Sequence, residues 1–125
     1  MISIQTKDVD IGDLIKAAYR RGTGAVIVFD GVVRDDDITE MELEAYEDVA
    51  TQELEKIARD ATEQFRLLHV DIIHRTGRLK VGENIVIIIV AAGHREEAYA
   101  GSRFIIEAIK AGVPIWKKEL TKDGG

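Results

Sequence analysis

The chain contains no cysteine. Disulfides, thiolate metal sites and cysteine nucleophiles are therefore excluded. Serine occurs only at Ser3 and Ser102, and neither sits in a nucleophile-elbow context. Pro114 is the single proline, and no Pro-, Gly- or Ser-rich stretch divides the chain. The longest apolar run, Ile85 to Ala92, is far too short to cross a bilayer. No apolar core of a secretion signal follows Met1, so a cytoplasmic location is the default expectation. Gly-rich phosphate loops are missing as well, since Gly22-Thr23-Gly24 reads as a turn. His69, His74 and His94 are too scattered for a metal site, and no carboxylate joins them at ligand spacing. Neither a metal nor a bound cofactor is expected. Basic character is lacking overall: the net charge is −6, which argues against non-specific nucleic-acid binding.

What is present is an ordinary globular balance, with 46% hydrophobic and 32% charged residues in 125. That length suits one domain spanning residues 1–125, large enough to bury a core without staples. Asp10 is a candidate N-cap, and Ile11, Leu14, Ile15, Ala18 and Tyr19 follow at helical spacing until Gly22. Gly24-Ala25-Val26-Ile27-Val28-Phe29 reads as a buried strand that continues through Gly31 to Val32-Val33, with a bulge at Gly31. Asp35-Asp36-Asp37 is a loop, and Met41, Leu43 and Ala45 alternate with acids as in a half-exposed strand. A second helix is expected over Asp48 to Arg66, with Leu54, Ile57, Ala58, Ala61 and Phe65 as its apolar stripe.

Leu68, Val70 and Ile72 then fall on one face of a strand that Gly77 breaks, and Leu79 and Val81 form a short extended piece. Gly82-Glu83-Asn84 turns into a central strand, Ile85 to Val90, ended by Gly93. A third helix runs from near Arg95 to Gly112, burying Ala98, Ser102, Ile105, Ile106 and Ile109. Pro114 introduces a last strand, Ile115 to Leu120. This order predicts an α+β fold, with a mixed, mostly antiparallel sheet and helices packed on one of its faces.

Cations stand at the ends of these elements. Arg34 leaves a buried strand just before the acidic loop, either as a surface arginine paired with Asp35 or Asp36 or as part of a site. His94 and Arg95 stand where a strand runs into a helix, a place where backbone N–H groups attract anions. Lys110 lies in a last helical turn, where it also complements the helix dipole, and Lys117 lies on the strand that follows. A tight turn between them can bring both ammonium groups toward one point. By strand alternation Lys117 and Lys118 point opposite ways. His74-Arg75-x-Gly77 is either structural or part of a pocket wall.

These pieces occur in a familiar order. Gly24-Ala25-Val26, Phe29-x-Gly31-x-Val33-Arg34, Leu43-Glu44-Ala45-Tyr46, His74-Arg75-x-Gly77, Gly93-His94-Arg95 and Lys110-x-x-x-Pro114-x-Trp116-Lys117-Lys118-Glu119 follow one another along the chain. The ordered set, from about Gly24 to Glu119, resembles the large, catalytic subunit family of molybdopterin synthase. The resemblance implies an α/β-hammerhead fold and a homodimer. It implies a small ubiquitin-like sulfur-carrier subunit at each end, giving a heterotetramer. The carrier's C-terminal Gly-Gly thiocarboxylate would enter a pocket and sulfurate cyclic pyranopterin monophosphate to the molybdopterin dithiolene. It also implies that Arg34, Lys110 and Lys117 line that pocket and that His94 and Arg95 bind anions across the dimer interface.

Fixed cations in a chain without its own nucleophile suit such chemistry, because the carrier supplies the sulfur. Lys117 is then expected to polarise the thiocarboxylate or stabilise its oxyanion, and Lys110 to act as general acid/base. Arg34, His94 and Arg95 are expected to hold the phosphate. Gly124-Gly125 matches the ending of such a carrier. Carriers of that kind are shorter and ubiquitin-like, however, and would leave the cations unexplained. The competing function is a non-catalytic α+β module that binds a phosphorylated metabolite with the same cations.

Overall fold

A computed structural model describes residues 1–121; Gly124-Gly125, noted above, lies outside them. Ten elements follow in order: β1 (Ile2–Gln5), α1 (Ile11–Ala18), β2 (Ala25–Val32), β3 (Ile38–Ala45), α2 (Glu47–Phe65), β4 (Leu67–Arg75), β5 (Gly77–Lys80), β6 (Asn84–Ala92), α3 (Arg95–Gly112) and β7 (Ile115–Thr121). The α+β class and the predominance of antiparallel pairing are as expected. Only β1 and β4 run parallel among the strand pairs described.

The arrangement differs from the expectation in two ways. There are two sheets, one ordered β1-β4-β6-β2 and one ordered β5-β3-β7. The helices also do not share one face. Along β6, Ile88 and Val90 join Leu54, Ile57, Ala61 and Ile105 in the core beneath α2 and α3. Ile87 and Ile89 point the other way, into a cluster with Ala18, Leu14 and Val26 beneath α1. All four β6 side chains are essentially solvent-free, so the strand is covered on both faces, as its unbroken apolar run requires. Burying one such side chain contributes roughly 1.5–3 kcal/mol. The second sheet has its own core of Val33, Ile38, Met41, Leu43 and Leu79, with Ile85 and Ile115 packed against it.

Local chemistry explains most boundaries. The Asp10 carboxylate accepts from the Asp13 N–H at 3.1 Å and starts α1. The helix ends at Ala18, earlier than its spacing predicts, and Tyr19 points to solvent in extended conformation. The Arg20 N–H donates to Thr23 Oγ1, forming a turn in which Gly22 takes φ +92°. Arg66 caps α2 in the left-handed region, its N–H donating to the Thr62 carbonyl. The bulge expected in β2 appears as a register shift between Gly31 and Val32. A second shift, between Leu67 and His69, buries Leu67 and leaves Leu68 exposed.

Candidate functional site

Arg34 projects from a pinned segment. Val33 is buried, its N–H donates to the Glu83 carbonyl at 3.0 Å, and its own carbonyl accepts from Gly82 at 2.9 Å. The chain then turns sharply: Asp36 donates its N–H to the Arg34 carbonyl, and Asp37 takes φ +61°. Lys117 is set by register, lying opposite Leu43 on β3. Glu119 lies opposite Met41 in the same pairing, so Lys117 and Glu119 share the inner face of the small sheet. Lys118 pairs with Glu42 and Trp116 with Glu44, which puts both on the outer face, where the Trp116 ring meets Tyr46 edge-on at 5.2 Å. The predicted opposition of Lys117 and Lys118 is thus seen.

Arg34 and Lys117 meet in one narrow cleft of about 120 Å³ between the end of β2 and β7. Asp36 and Glu119 complete its polar side, and Val32, Ile38, Met41 and Ile85 its apolar side. The acids moderate the cations: Arg34 Nε lies 3.4 Å from Asp36, and Lys117 Nζ lies 3.8 Å from Glu119. The lining contains no serine, threonine or histidine. Asp36 was foreseen as a partner of Arg34. Glu119 was not singled out as a partner of Lys117, although its i+2 strand position carried that signal.

His94 and Arg95 stand elsewhere. His94 is the N-cap residue of α3, with no side-chain capping bond, and its Nδ1 lies 3.4 Å from Glu97. With Gly24, Gly93 and Glu96 these residues line a separate, broader depression of about 570 Å³. Gly24 closes its floor, donating its N–H to the Ala92 carbonyl at 2.9 Å. A Cβ at Gly24 would run into the Gly93 carbonyl oxygen. Lys110 occupies a third place. It lies in the last turn of α3 and lines a surface hollow with Tyr99, Ser102, Ile106 and Glu107. The Val113-Pro114 turn carries the chain from the large sheet to the small one, so Lys110 and Lys117 line different cavities.

The open question about His74 and Arg75 resolves toward structure. Both are buried. Arg75 donates to the Thr6 carbonyl from Nε at 3.1 Å and Nη2 at 2.9 Å, and to the Asn84 carbonyl from Nη1 at 3.2 Å. It therefore ties the end of β1 to the start of β6. Burial pushes the His74 imidazole below its ordinary pKa, partly offset by its contact with the Arg75 carbonyl. A depressed folded-state value means the unfolded chain binds the proton first as pH falls. Stability contributed by neutral His74 is then present above about pH 6.5 and is lost as pH falls below it. Denaturant titrations between pH 7 and 5 should show wild type losing stability more steeply than His74→Gln. Parallel curves would refute the assignment.

A family model for the MoaE protein matches residues 4–112. The chain belongs to the MoaE family. Its relatives include the molybdopterin synthase catalytic subunit of Pyrococcus abyssi, 35% identical over 122 residues, with 94% of this chain and 82% of that protein covered. The same-named protein of Rhizobium meliloti is 39% identical over 127 aligned residues, with 98% and 82% covered. The fold superposes on molybdopterin synthase from Staphylococcus aureus with a TM-score of 0.90, at 34% identity and with 97% and 91% covered. A complex of subunits 1 and 2 of the molybdopterin-converting factor from Helicobacter pylori matches with a TM-score of 0.83, at 26% identity and with 98% and 87% covered. Within the MoaE match lie Arg34, His94, Arg95 and Lys110, whereas Lys117 falls just beyond it.

Proposed function

We propose that this chain is the catalytic subunit of a molybdopterin synthase. It moves sulfur from the thiocarboxylated Gly-Gly end of a small ubiquitin-like carrier onto cyclic pyranopterin monophosphate, forming the dithiolene of molybdopterin. The observation that carries this reading is the narrow cleft in which Arg34 and Lys117 converge without a nucleophile of their own, in a MoaE-family chain. The relatives, molybdopterin synthase catalytic subunits, support the activity, and the Helicobacter pylori complex supports a two-subunit assembly. A Gly-Gly tail has no side chains, which suits so slender a cleft.

The carrier's sulfur is the nucleophile. A bond forms between sulfur and a precursor carbon as that carbon's bond to oxygen breaks and the oxygen leaves with its electron pair, and the bond between that sulfur and the carrier's acyl carbon then breaks. Water returns the acyl group to a carboxylate, and a second carrier repeats the transfer. Charge builds on the acyl oxygen, where the Lys117 ammonium stabilises it. Arg34 of one subunit, with His94 and Arg95 of the other, holds the precursor's phosphate, the arginines through planar, bidentate contacts. Lys110, which lies in its own hollow at the end of α3 and apart from the Lys117 cleft, takes the part of proton donor and acceptor on the family resemblance alone. Residues 1–125 act as one domain, in the cytoplasm, as half of a homodimer that carries two carriers. No helix among the described residues is long and apolar enough to cross a membrane. Mixing the purified chain with thiocarboxylated carrier and precursor should yield the dithiolene product. Absence of product with both partners intact would overturn the reading.

A further inference from the structure

Arg75 does more than tie β1 to β6. It is the last residue of β4, in the large sheet, and only Thr76 separates it from Gly77, the first residue of β5 in the small sheet. Its side chain, 8% exposed, is buried where the two sheets join. Besides the Thr6 and Asn84 carbonyls it reaches a side chain, Nη1 donating to Glu83 Oε1 at 3.3 Å. The other Glu83 oxygen accepts from the Lys80 N–H at 2.6 Å. That bond and the Arg75 contact hold the Glu83 carboxyl below its usual pKa, so it stays an anion opposite the guanidinium. Asn84 is held from a further side, its Nδ2 donating to Asp8 at 3.0 Å. The turn between β5 and β6 is thus gripped at two successive residues.

The same turn carries the end of β2. Both backbone bonds of Val33 go to it, one to the Glu83 carbonyl and one from the Gly82 N–H. Val32 lies opposite Asn84 in the strand register, and Ile85, the next residue, lines the cleft. Arg34 follows Val33 directly. Its own side chain has little to hold it, being 83% exposed with an ion pair of 3.4 Å to Asp36. Arg34 therefore takes its place above the cleft from the turn. A buried guanidinium is a poor source of stability, since well-packed apolar side chains often serve as well. What it supplies is geometry, because a rigid planar fork meets acceptors on three separate residues, Thr6, Glu83 and Asn84.

We infer that Arg75 is a positioning residue for sulfur transfer, acting through the Glu83-Asn84 turn on Arg34 and so on the Arg34–Lys117 cleft. This rests on the functional reading above and adds to it a residue that does not itself line the cleft.

Arg75→Lys keeps the charge and loses the fork. With saturating carrier and precursor it should lower turnover about 10- to 100-fold, as expected for a shift of up to about 1 Å in a substrate-positioning group. In an Arg34→Ala background the same change should cost less than about 2-fold, because residues acting through one another are not additive. Glu83→Gln sets an NH2 group against one of the two donors that Glu83 now serves, leaves the core intact, and should show a smaller loss with the same coupling. Arg78→Lys, at an exposed arginine of β5, should keep wild-type turnover. Amide exchange reads the clamp without any turnover. The Val33 N–H should exchange about tenfold faster in Arg75→Lys and in Glu83→Gln, with Ile88 in β6 unchanged. A turnover loss as large in the Arg34→Ala background as in wild type, or Val33 exchange at the wild-type rate in both variants, would overturn the proposal and leave the functional reading standing. A wild-type chain that makes no dithiolene would sink the functional reading and the role in turnover with it, while faster Val33 exchange would still identify the clamp.

Discussion

Lys117→Ala is expected to lower sulfur transfer by about 100- to 1,000-fold, the range seen when one preorganised oxyanion-stabilising group is removed. Affinity for the carrier should change little. The structure makes this substitution unusually clean. The Lys117 backbone is held by pairing with β3, opposite buried Leu43, and the strand does not depend on its side chain. That side chain is 59% exposed and its ion pair with Glu119 spans 3.8 Å, so stability should stay within about 0.5 kcal/mol of wild type. The control is adjacent. Lys118 carries the same charge one residue away but lies on the outer face of the sheet opposite Glu42, and Lys118→Ala should keep near-normal turnover. Single-turnover assays with saturating carrier would read the difference as a loss in rate. Equal losses in the two variants would mean that bulk positive charge matters and that the cleft does not.

Much of this architecture was legible because strong patterns met strong constraints. The run Ile85 to Val90 could only be a covered strand, and it became β6. The α2 stripe of Leu54, Ile57, Ala58 and Ala61 is the buried face observed. β1 was missed for a physical reason. Its four residues alternate apolar and polar, but so short a run is a weak signal by itself, and they become a strand by pairing parallel with Ile72 to Arg75 about seventy positions away. The end of α1 was misplaced because Tyr19 continues the apolar spacing, while the turn bonded through Thr23 has already drawn the chain out of the helix.

The candidate site divides in the same way. Cations at element ends were visible from residue order, as was the opposition of Lys117 and Lys118. Their distribution in space was not. Lys110 and Lys117 are seven positions apart, and that nearness suggested a common point. Pro114 lies between them, and the chain leaves α3, packed on one sheet, to enter the other sheet as β7. Arg34 and His94 are far apart in sequence, yet β2 and β6 are paired neighbours. Antiparallel pairing places the start of β2 beside the end of β6 and the end of β2 beside the start of β6. That register sends the two cation groups to opposite ends of one ribbon.

Gly24→Ala tests how that ribbon positions the His94–Arg95 end. The added Cβ would collide with the Gly93 carbonyl oxygen, and its neighbour in the clash is backbone, which cannot rotate away as a side-chain tip could. Either β2 or the entry to α3 must shift. Overpacking of this kind costs about 1–3 kcal/mol. Because Gly93 leads directly into His94 and Arg95, the same shift moves both cations relative to the phosphate they are proposed to hold. A displacement of about 1 Å at a substrate-positioning group can cost about 100-fold in rate. The expected result is therefore a paired loss, in denaturant midpoint and in turnover, with the rate loss larger than a stability change alone would produce while the protein remains folded. Gly112→Ala supplies the contrast: a Cβ there meets nothing within 4 Å, and the variant should be as stable as wild type or more so by about 0.5–1 kcal/mol. If Gly24→Ala melts like wild type and turns over at the wild-type rate, then the close approach of β2 to the start of α3 does not set the geometry of the anion-binding half-site.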